Sequence, residues 1–500
     1  MGGEYSLSNF IVQFPLETEI YQESILNKRF EIGRQIYNAL VNVTQKRYKE
    51  MVKTKSYRNI KSELTNIYKS NDKAKLKRKT ELCKQLNYLY KIYKLSEYSF
   101  HTDVKSMQKH FKDNIDSFTA QKIATNLWKA YDKLLFGNGD TIHYKRYNTF
   151  NSFEGKSNAC GIRFVGDNLL WNGLTIPVSI DYNNPYEYQA LQNNIAYCRI
   201  VRKFVRSKYK FFLQIVIKGV APIKIDKSTG EVKRFIGTGD VGLDIGTQTI
   251  AISSSTDVKI YELADRVQNI ENQKRIILRK LDRSRRSCNP NNYNSDGTIK
   301  KQGNKRVIWN KSNHYVKIQN QLKELYRKQA DVRKLQHEIL ANEIITQGNN
   351  IYVETMNYAG LQHKARKTEK NNKGNYKKKK CFGKSLANKA PSMLLTIIDR
   401  KLKYYNNQLI KIDTQAVKAS QYNHFDETYT KKKLSQRWND FNGIKVQRDM
   451  YSAFLIMNVN NDLKTINIEK CKQRFPSFLI MHNAEVERLT GNNNLSSIAI

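Results

Sequence analysis

Acidic residues are scarce in this chain. Its 500 residues hold 45 Asp and Glu against 87 Lys and Arg, a formal net charge of +42. Such an excess opposes compaction unless a polyanion neutralises it, so nucleic acid is the expected partner class. Proline is rare too, and none lies between Pro15 and Pro177, so helices there meet no breaker. No apolar run is long enough to span a bilayer, and the N-terminus lacks the core of a secretory signal; no membrane partner is expected. The six cysteines, Cys83, Cys160, Cys198, Cys288, Cys381 and Cys471, stand far apart. That spacing removes any Cys-x-x-Cys zinc site and leaves separate reduced thiols as the expectation. Aromatic residues are plentiful instead. The 30 Tyr and 20 Phe residues serve as core anchors and as stacking surfaces for unpaired bases.

Periodicity divides the chain. Asn9 to Leu16 (NFIVQFPL) reads as a first strand. From Glu17 to Leu135, runs such as NALVNVTQKRYKEMV and AQKIATNLWKAYDKLL place apolar residues three and four apart, the mark of helices. Strand-like runs follow: CGIRFV, NLLWNGLTIPVSI, CRIVRKFVRS and YKFFLQIVIKGV. They predict a small β-barrel or sandwich that includes the first strand, with the helical bundle inserted. Lys145, Arg146 and Tyr147, just ahead of these strands, are candidate nucleic-acid contacts.

The chemistry gathers further on. In VGLDIGTQTIAISSS, Val241 to Ser255, an acid sits in an apolar strand with Gly242 and Gly246 on either side, read as backbone turns. A buried Asp is costly unless paired, hydrogen-bonded or metal-bound. Three readings fit: the metal-binding Asp of an RNase H-like nuclease, the phosphate-contacting Asp-x-Gly-Thr of a kinase or actin-like ATPase, or an Asp capping a turn. The second Asp-Gly phosphate loop and the Gly-Gly adenosine loop of the ATPase reading are absent downstream. A basic helix, ENQKRIILRKLDRSRRS, comes next, with Arg283, Arg285 and Arg286 as candidate phosphate contacts. After the turn-rich stretch 289–304, a second helix spans about Ser312 to Gln347. Its Ile318, Leu325, Val332 and Ile339, with Leu322 and Leu335, predict an apolar seam facing the sheet or a partner chain. Ile351 to Val353 form a strand that ends in Glu354, and 362–384 is a basic loop. Pro391 to Tyr405 reads as a helix and QLIKIDTQAV as a strand. Asp449 opens a late helix, where capping is the plain alternative. Three acids in this order suit a site for two Mg²⁺ ions, whose preferred ligands are hard oxygens.

VGLDIGTQTIAIS, IYVETMNYAGL and VQRDMYSAFLI resemble the three RuvC motifs of TnpB proteins and of the compact type V CRISPR effectors related to them. The resemblance is strongest over 238–460. It implies an RNA-guided DNA endonuclease of α+β multidomain build: a helical recognition lobe inserted in a β-barrel wedge domain, followed by an RNase H-like (RuvC) α/β nuclease domain. The implied parts are a first wedge strand (1–16), the recognition lobe (17–136), the wedge barrel (137–237), the RuvC nuclease (238–414, with a helical hairpin over 266–347), a degenerate zinc-ribbon or target-strand loading insert (415–446), the last RuvC helix (447–460) and a tail (461–500). Asp244, Glu354 and Asp449 would be the catalytic residues and Mg²⁺ ligands. The implied partners are a guide RNA, from a transposon end or a CRISPR transcript, and double-stranded target DNA with a short flanking motif. A homodimer is open, since the family includes both single-copy and dimeric forms. The implied location is a prokaryotic cytoplasm, on the nucleoid when DNA is bound. A guided binder that has lost cutting is the main alternative.

One departure stands out. Where the family carries two Cys-x-x-Cys pairs, this chain has KASQYNHFDETYTKKKLSQRWNDFNG without a cysteine. Ser420, Gln421, Arg437 and Trp438 look retained. Tyr422, Phe425 and Phe441 are expected to form an apolar cluster in place of zinc; His424 with Asp426 reads as a surface pair, with metal binding as the alternative. The last motif also has Gln447 where many relatives have Asp, and Tyr451 where they have Asn.

Overall fold

A computed structural model describes residues 9–67, 72–137, 139–226, 228–233, 235–300, 303, 307–363, 374, 382–433 and 436–491. The chain divides into two compact units, 1–223 and 224–500.

The first unit begins with β1 (Asn9–Pro15), which alternates exposed and buried residues and so buries Phe10, Val12 and Phe14 on one face. Five helices follow: α1 (Ile20–Lys53), α2 (Lys55–Ile67), α3 (Lys73–Ile92), α4 (Glu97–His110) and α5 (Ser117–Leu135). With no proline to stop it, α1 runs 34 residues and buries Leu26, Phe30, Tyr37 and Leu40 along one stripe. Then come β2 (Ser152–Glu154), β3 (Arg163–Val165), β4 (Asn168–Trp171), β5 (Leu174–Pro177), α6 (Pro185–Leu191), β6 (Ile195–Val205) and β7 (Lys208–Lys218). The predicted run NLLWNGLTIPVSI is not one strand. Asn172 and Gly173 both take positive φ (46° and 77°) and fold it into the β4–β5 hairpin, as an Asn-Gly pair favours.

The expected barrel does not close among the described residues. The strands form a four-stranded sheet, order β1-β7-β6-β2, and a three-stranded one, β3-β4-β5. A single bridge, Leu16 to Val178, links β1 to β5. Between β2 and β3 the ladder is interrupted. There the Asn158 side chain takes the place of a strand, accepting from Phe164 N at 2.8 Å and donating to Phe164 O at 3.1 Å.

The second unit is built on a five-stranded sheet. Its elements are β8 (Asp240–Ile245), β9 (Thr249–Ser254), β10 (Val258–Glu262), α7 (Val267–Cys288), α8 (Asn313–Gln347), β11 (Asn350–Glu354), α9 (Tyr358–Gln362), α10 (Gly383–Lys389), α11 (Pro391–Lys403), β12 (Ile410–Ile412), α12 (Thr414–Val417), β13 (Tyr422–Asn423), β14 (Thr428–Tyr429), β15 (Trp438–Phe441), β16 (Ile444–Gln447), α13 (Arg448–Met457) and α14 (Ile468–Thr490). The sheet order is β10-β9-β8-β11-β12. Only β9 runs against the others, because β8–β9–β10 is a meander while β11 and β12 pair in parallel.

Three expectations need correction here. The predicted seam of α8 is only partly its buried face: Ile318 is buried, but Leu335 and Ile339 are 58% and 57% exposed, whereas Gln329, His337, Ala341 and Ile344 are buried. The helix packs on α7, α10 and α11 partly through polar side chains that apolar spacing cannot reveal. QLIKIDTQAV keeps only three residues of strand, because Asp413 then accepts from Gln415 N and Ala416 N and starts α12. The stretch after 460 is no mere appendage. Its helix α14 buries Cys471, Phe475, Phe478 and Leu489, and Glu485 accepts from Ile260 N at the sheet edge. Most of the basic loop 362–384, including Cys381, lies outside the described residues.

Candidate carboxylate site

Asp244 is the fifth residue of β8, and Glu354 ends β11. The two strands pair in parallel up to Leu243 and Val353, so the acids are the next pair in register, on neighbouring strand ends. Asp449 arrives from α13. That helix lies directly on the sheet, and every residue from Met450 to Met457 is buried. Gly242 makes the approach possible. A Cβ there would stand 2.0 Å from Ala453 O and 2.5 Å from Met457 N. Gly242 is therefore a contact point inside β8, not the turn expected from its place beside the acid. The turn is at Gly246, which closes the β8–β9 hairpin by donating to Thr249 O. Asp449 is not a cap either. Gln447 caps α13, its side chain accepting from Met450 N at 2.8 Å, and this leaves the Asp449 carboxylate free to face the cavity.

All three acids line one cavity of about 610 Å³. Burial pushes the Asp244 carboxyl well above its usual range, and the charges of Glu354 and Asp449 push it the same way; Arg448 and the Ser452 hydroxyl oppose them. Burial raises Glu354 to about 7. Among the described residues, neither Asp244 nor Glu354 forms an ion pair. Asp449 forms two: Arg448 Nη2 at 3.2 Å and Arg437 Nη1 at 3.5 Å. Among the described residues no three His, Cys, Asp or Glu side chains are gathered closely enough to hold an ion as they stand. The donor set nonetheless suits a hard divalent cation. Its members are carboxylate oxygens, two of them raised by burial for want of a counter-charge, and a cation would relieve that.

Of the surrounding shell, sequence reasoning had singled out Ser420, Gln421 and Arg437 but missed Lys431, Lys432 and Arg448. Lys431, Lys432, Arg437 and Arg448 line the same cavity as the acids, beside Ser420 and Gln421. Arg448 also donates to Lys433 O and Gln436 O, fastening the 422–447 insert to α13. Its position next to Asp449 was the available signal. Tyr358, four residues after Glu354, has a buried hydroxyl with no hydrogen-bond partner among the described residues. Asp244 and Glu354, with burial the larger cause, push that phenol up.

The aromatic cluster expected in the insert is present and larger than expected. The Phe425 ring lies tilted against Phe441 at 5.2 Å and edge-on to Phe475 at 5.0 Å, and Tyr422 lies tilted against Tyr429 at 4.8 Å. His424 is not a surface residue: it is fully buried, bonded to Tyr451. Asp426 faces solvent and accepts from Thr428. The two side chains therefore point to different environments, for which the spacing of His and Asp gave no indication.

Within the second unit, Arg283, Arg285 and Arg286 do not line this cavity. Arg285 and Arg286 are both held by Asp282, at 2.7 and 2.8 Å, and lie over the rings of Trp309 and Tyr293. They knit the 289–310 connection to α7. Arg283 is exposed and lines a separate recess with Lys280 and His314. In the first unit, Lys145 is pinned to α1: its N donates to Asn38 Oδ1 at 2.8 Å, and its O accepts from Asn38 and Arg34. Arg146 and Tyr147 follow it in an exposed loop, Tyr147 at 71% exposure.

No protein-family model matches the chain, and no curated protein does. Among solved structures, it is similar to the cryo-EM structure of a Cas12f1-sgRNA-target DNA complex, with TM-score 0.41 and 10% identity over 90% of this chain and 98% of that one. It is also similar to the cryo-EM structure of a CRISPR-Cas12f ternary complex, with TM-score 0.25 and 12% identity over 87% and 82%.

Proposed function

We propose that the chain is an RNA-guided DNA-binding effector that cuts DNA phosphodiesters at the Asp244–Glu354–Asp449 cavity. One observation carries the cutting: acids about a hundred residues apart line a single cavity with a rim of Lys and Arg. The strand order supports an RNase H-like nuclease, with the first acid on the central strand and the second on its parallel neighbour. Ligands of such sheets gather at the carboxyl ends of parallel strands. Guidance by RNA rests on the three sequence motifs and on the charge of +42. In this reading, residues 17–136 embrace nucleic acid and the short sheets of 137–237 form the wedge. Lys145, Arg146, Tyr147 and Arg283 contact the backbone, and the target is a duplex with a short flanking motif.

Asp244, Glu354 and Asp449 would hold Mg²⁺, which when bound activates water and stabilises the leaving oxygen. The protein's own part is positional. Arg437, Arg448, Lys431 and Lys432 supply the positive charge that draws a DNA phosphate to the acids. The aromatic cluster holds the insert in place of structural zinc. A second reading, a guided binder without cutting, is favoured by one feature: the two guanidiniums on Asp449.

Sequencing the RNA that co-purifies with the full chain, then offering a matched DNA duplex with MgCl₂, separates the two. A discrete structured RNA with a variable end is expected, followed by cutting. Asp244→Ala, Glu354→Ala and Asp449→Ala should each slow single-turnover cleavage roughly a thousandfold while the duplex still binds. Heterogeneous cellular RNA would undercut guidance. Three alanine variants that cut like the parent would overturn the site, and tight binding without cutting would establish the second reading.

A further inference from the structure

The insert between β13 and β16 is tied to the first turn of α13 at both of its ends. At the later end, Gln447 caps the helix, its N–H donates to His482 Nε2 at 2.9 Å, and Arg448 reaches back to Lys433 O and Gln436 O. At the earlier end stands His424. Its ring Nδ1 lies 2.6 Å from the Tyr451 hydroxyl, and its backbone N–H donates to the same oxygen at 3.2 Å. Tyr451 Oη thus meets both the backbone and the ring of His424, and this pair of contacts ties the earlier end of the insert to α13. Both residues are buried, His424 at 0% and Tyr451 at 1% exposure. Rings of Phe425, Phe441, Phe454 and Phe475 enclose them. In that dry shell the bond is worth more than at a surface, and breaking it leaves orphaned polar groups.

What lies between the two ties is the cationic rim. Lys431, Lys432 and Arg437 line the carboxylate cavity, and Arg437 pairs with Asp449, two residues before Tyr451. On the same turn, the Ser452 hydroxyl donates to Arg448 O at 3.0 Å. One short helical segment thus sets an acid, a hydroxyl and the anchor of the insert together. We propose that the His424–Tyr451 bond is the clasp that holds Asp449 and the Lys431–Arg437 rim in register, which makes His424 and Tyr451 positioning residues for phosphodiester cleavage. The clasp rests on the cleavage reading above, but its geometry can be tested apart from that reading.

The test uses the full chain with its co-purified RNA, a matched duplex and saturating MgCl₂. His424→Leu and Tyr451→Phe should each lower the single-turnover rate about tenfold. The double variant should be no slower than either single, because one bond is lost in all three. His424→Asn keeps an acceptor near the Nδ1 position and should cut within about twofold of the parent. A merely structural role would give no such rescue. A second measurement needs no cleavage: hydrogen exchange at the amides of residues 448–451 should quicken in His424→Leu and Tyr451→Phe but not in His424→Asn. If the parent does not cut, the function reading fails and exchange alone judges the clasp. Unchanged exchange in His424→Leu, additive losses in the double variant, or an Asn variant as slow as the Leu one would each overturn it.

Discussion

Among the described residues, the buried lysines of α7, α10 and α11 each meet an acid. Lys389, 5% exposed, reaches Glu262 and Ala264 O. Lys274 pairs with Glu271 at 2.9 Å and with Gln329 at 2.9 Å, and Lys401 meets Glu338 at 2.9 Å. In the carboxylate cavity of the same unit, Asp244 and Glu354 have no such partner among the described residues. The chain holds 87 basic residues, so the difference is not a shortage of cations. Paired buried charges hold elements in place, whereas unpaired buried acids keep a cost that a bound cation or protonation removes.

Breaking a pair should cost the most. Lys389→Ala removes a buried cation with its bonds to Glu262 and Ala264 O and should destabilise by about 3 kcal/mol. The double change Lys389→Met with Glu262→Leu should recover most of this in a chemical-unfolding titration; no recovery would mean that Lys389 acts through packing alone. Next in size is Gly242→Ala. Its new methyl meets the α13 backbone, so α13 must lift from β8, at about 2–3 kcal/mol by the same measurement. Parent-like stability would show that α13 can yield there.

The opposite sign is expected in the cavity. Glu354 ionises in the fold at about 7, against an ordinary 4.5. A raised carboxyl gives its stability below the unfolded value, and that stability is lost as pH climbs from 4.5 through 7. In chelator, Glu354→Gln should therefore raise stability by roughly 2 kcal/mol at alkaline pH and by almost nothing in acid. A gain that did not grow with pH would remove burial as its cause. The smallest effect is expected from zinc. Purified protein should carry none, and zinc chelation should leave its melting temperature unchanged, since His424 is already engaged by Tyr451. Stoichiometric zinc by metal analysis would contradict this.

Some of this was readable from residues alone. Strand alternation marked β1, helical spacing marked α1 and α5, and the apolar runs ending in acids marked β8 and β11. These signals are local, because a side chain's face follows from its place in the repeat. The Asn172–Gly173 turn was readable too, yet it was passed over within a longer apolar run. Other features needed the tertiary structure. The buried face of α8 is partly polar, and polar burial has no period to read. The short strands near 152–177 could not reveal whether they would close, because closure depends on partners far along the chain. Gln447 took the capping role that sequence offered to Asp449, and His424 went inside because Tyr451 was there to meet it. The sequence by itself determined which acids end apolar strands and how much positive charge surrounds them. Only the tertiary structure decided that Asp244, Glu354 and Asp449 line one cavity. A parallel register and a helix seated on Gly242 are long-range contacts, and no local spacing encodes them.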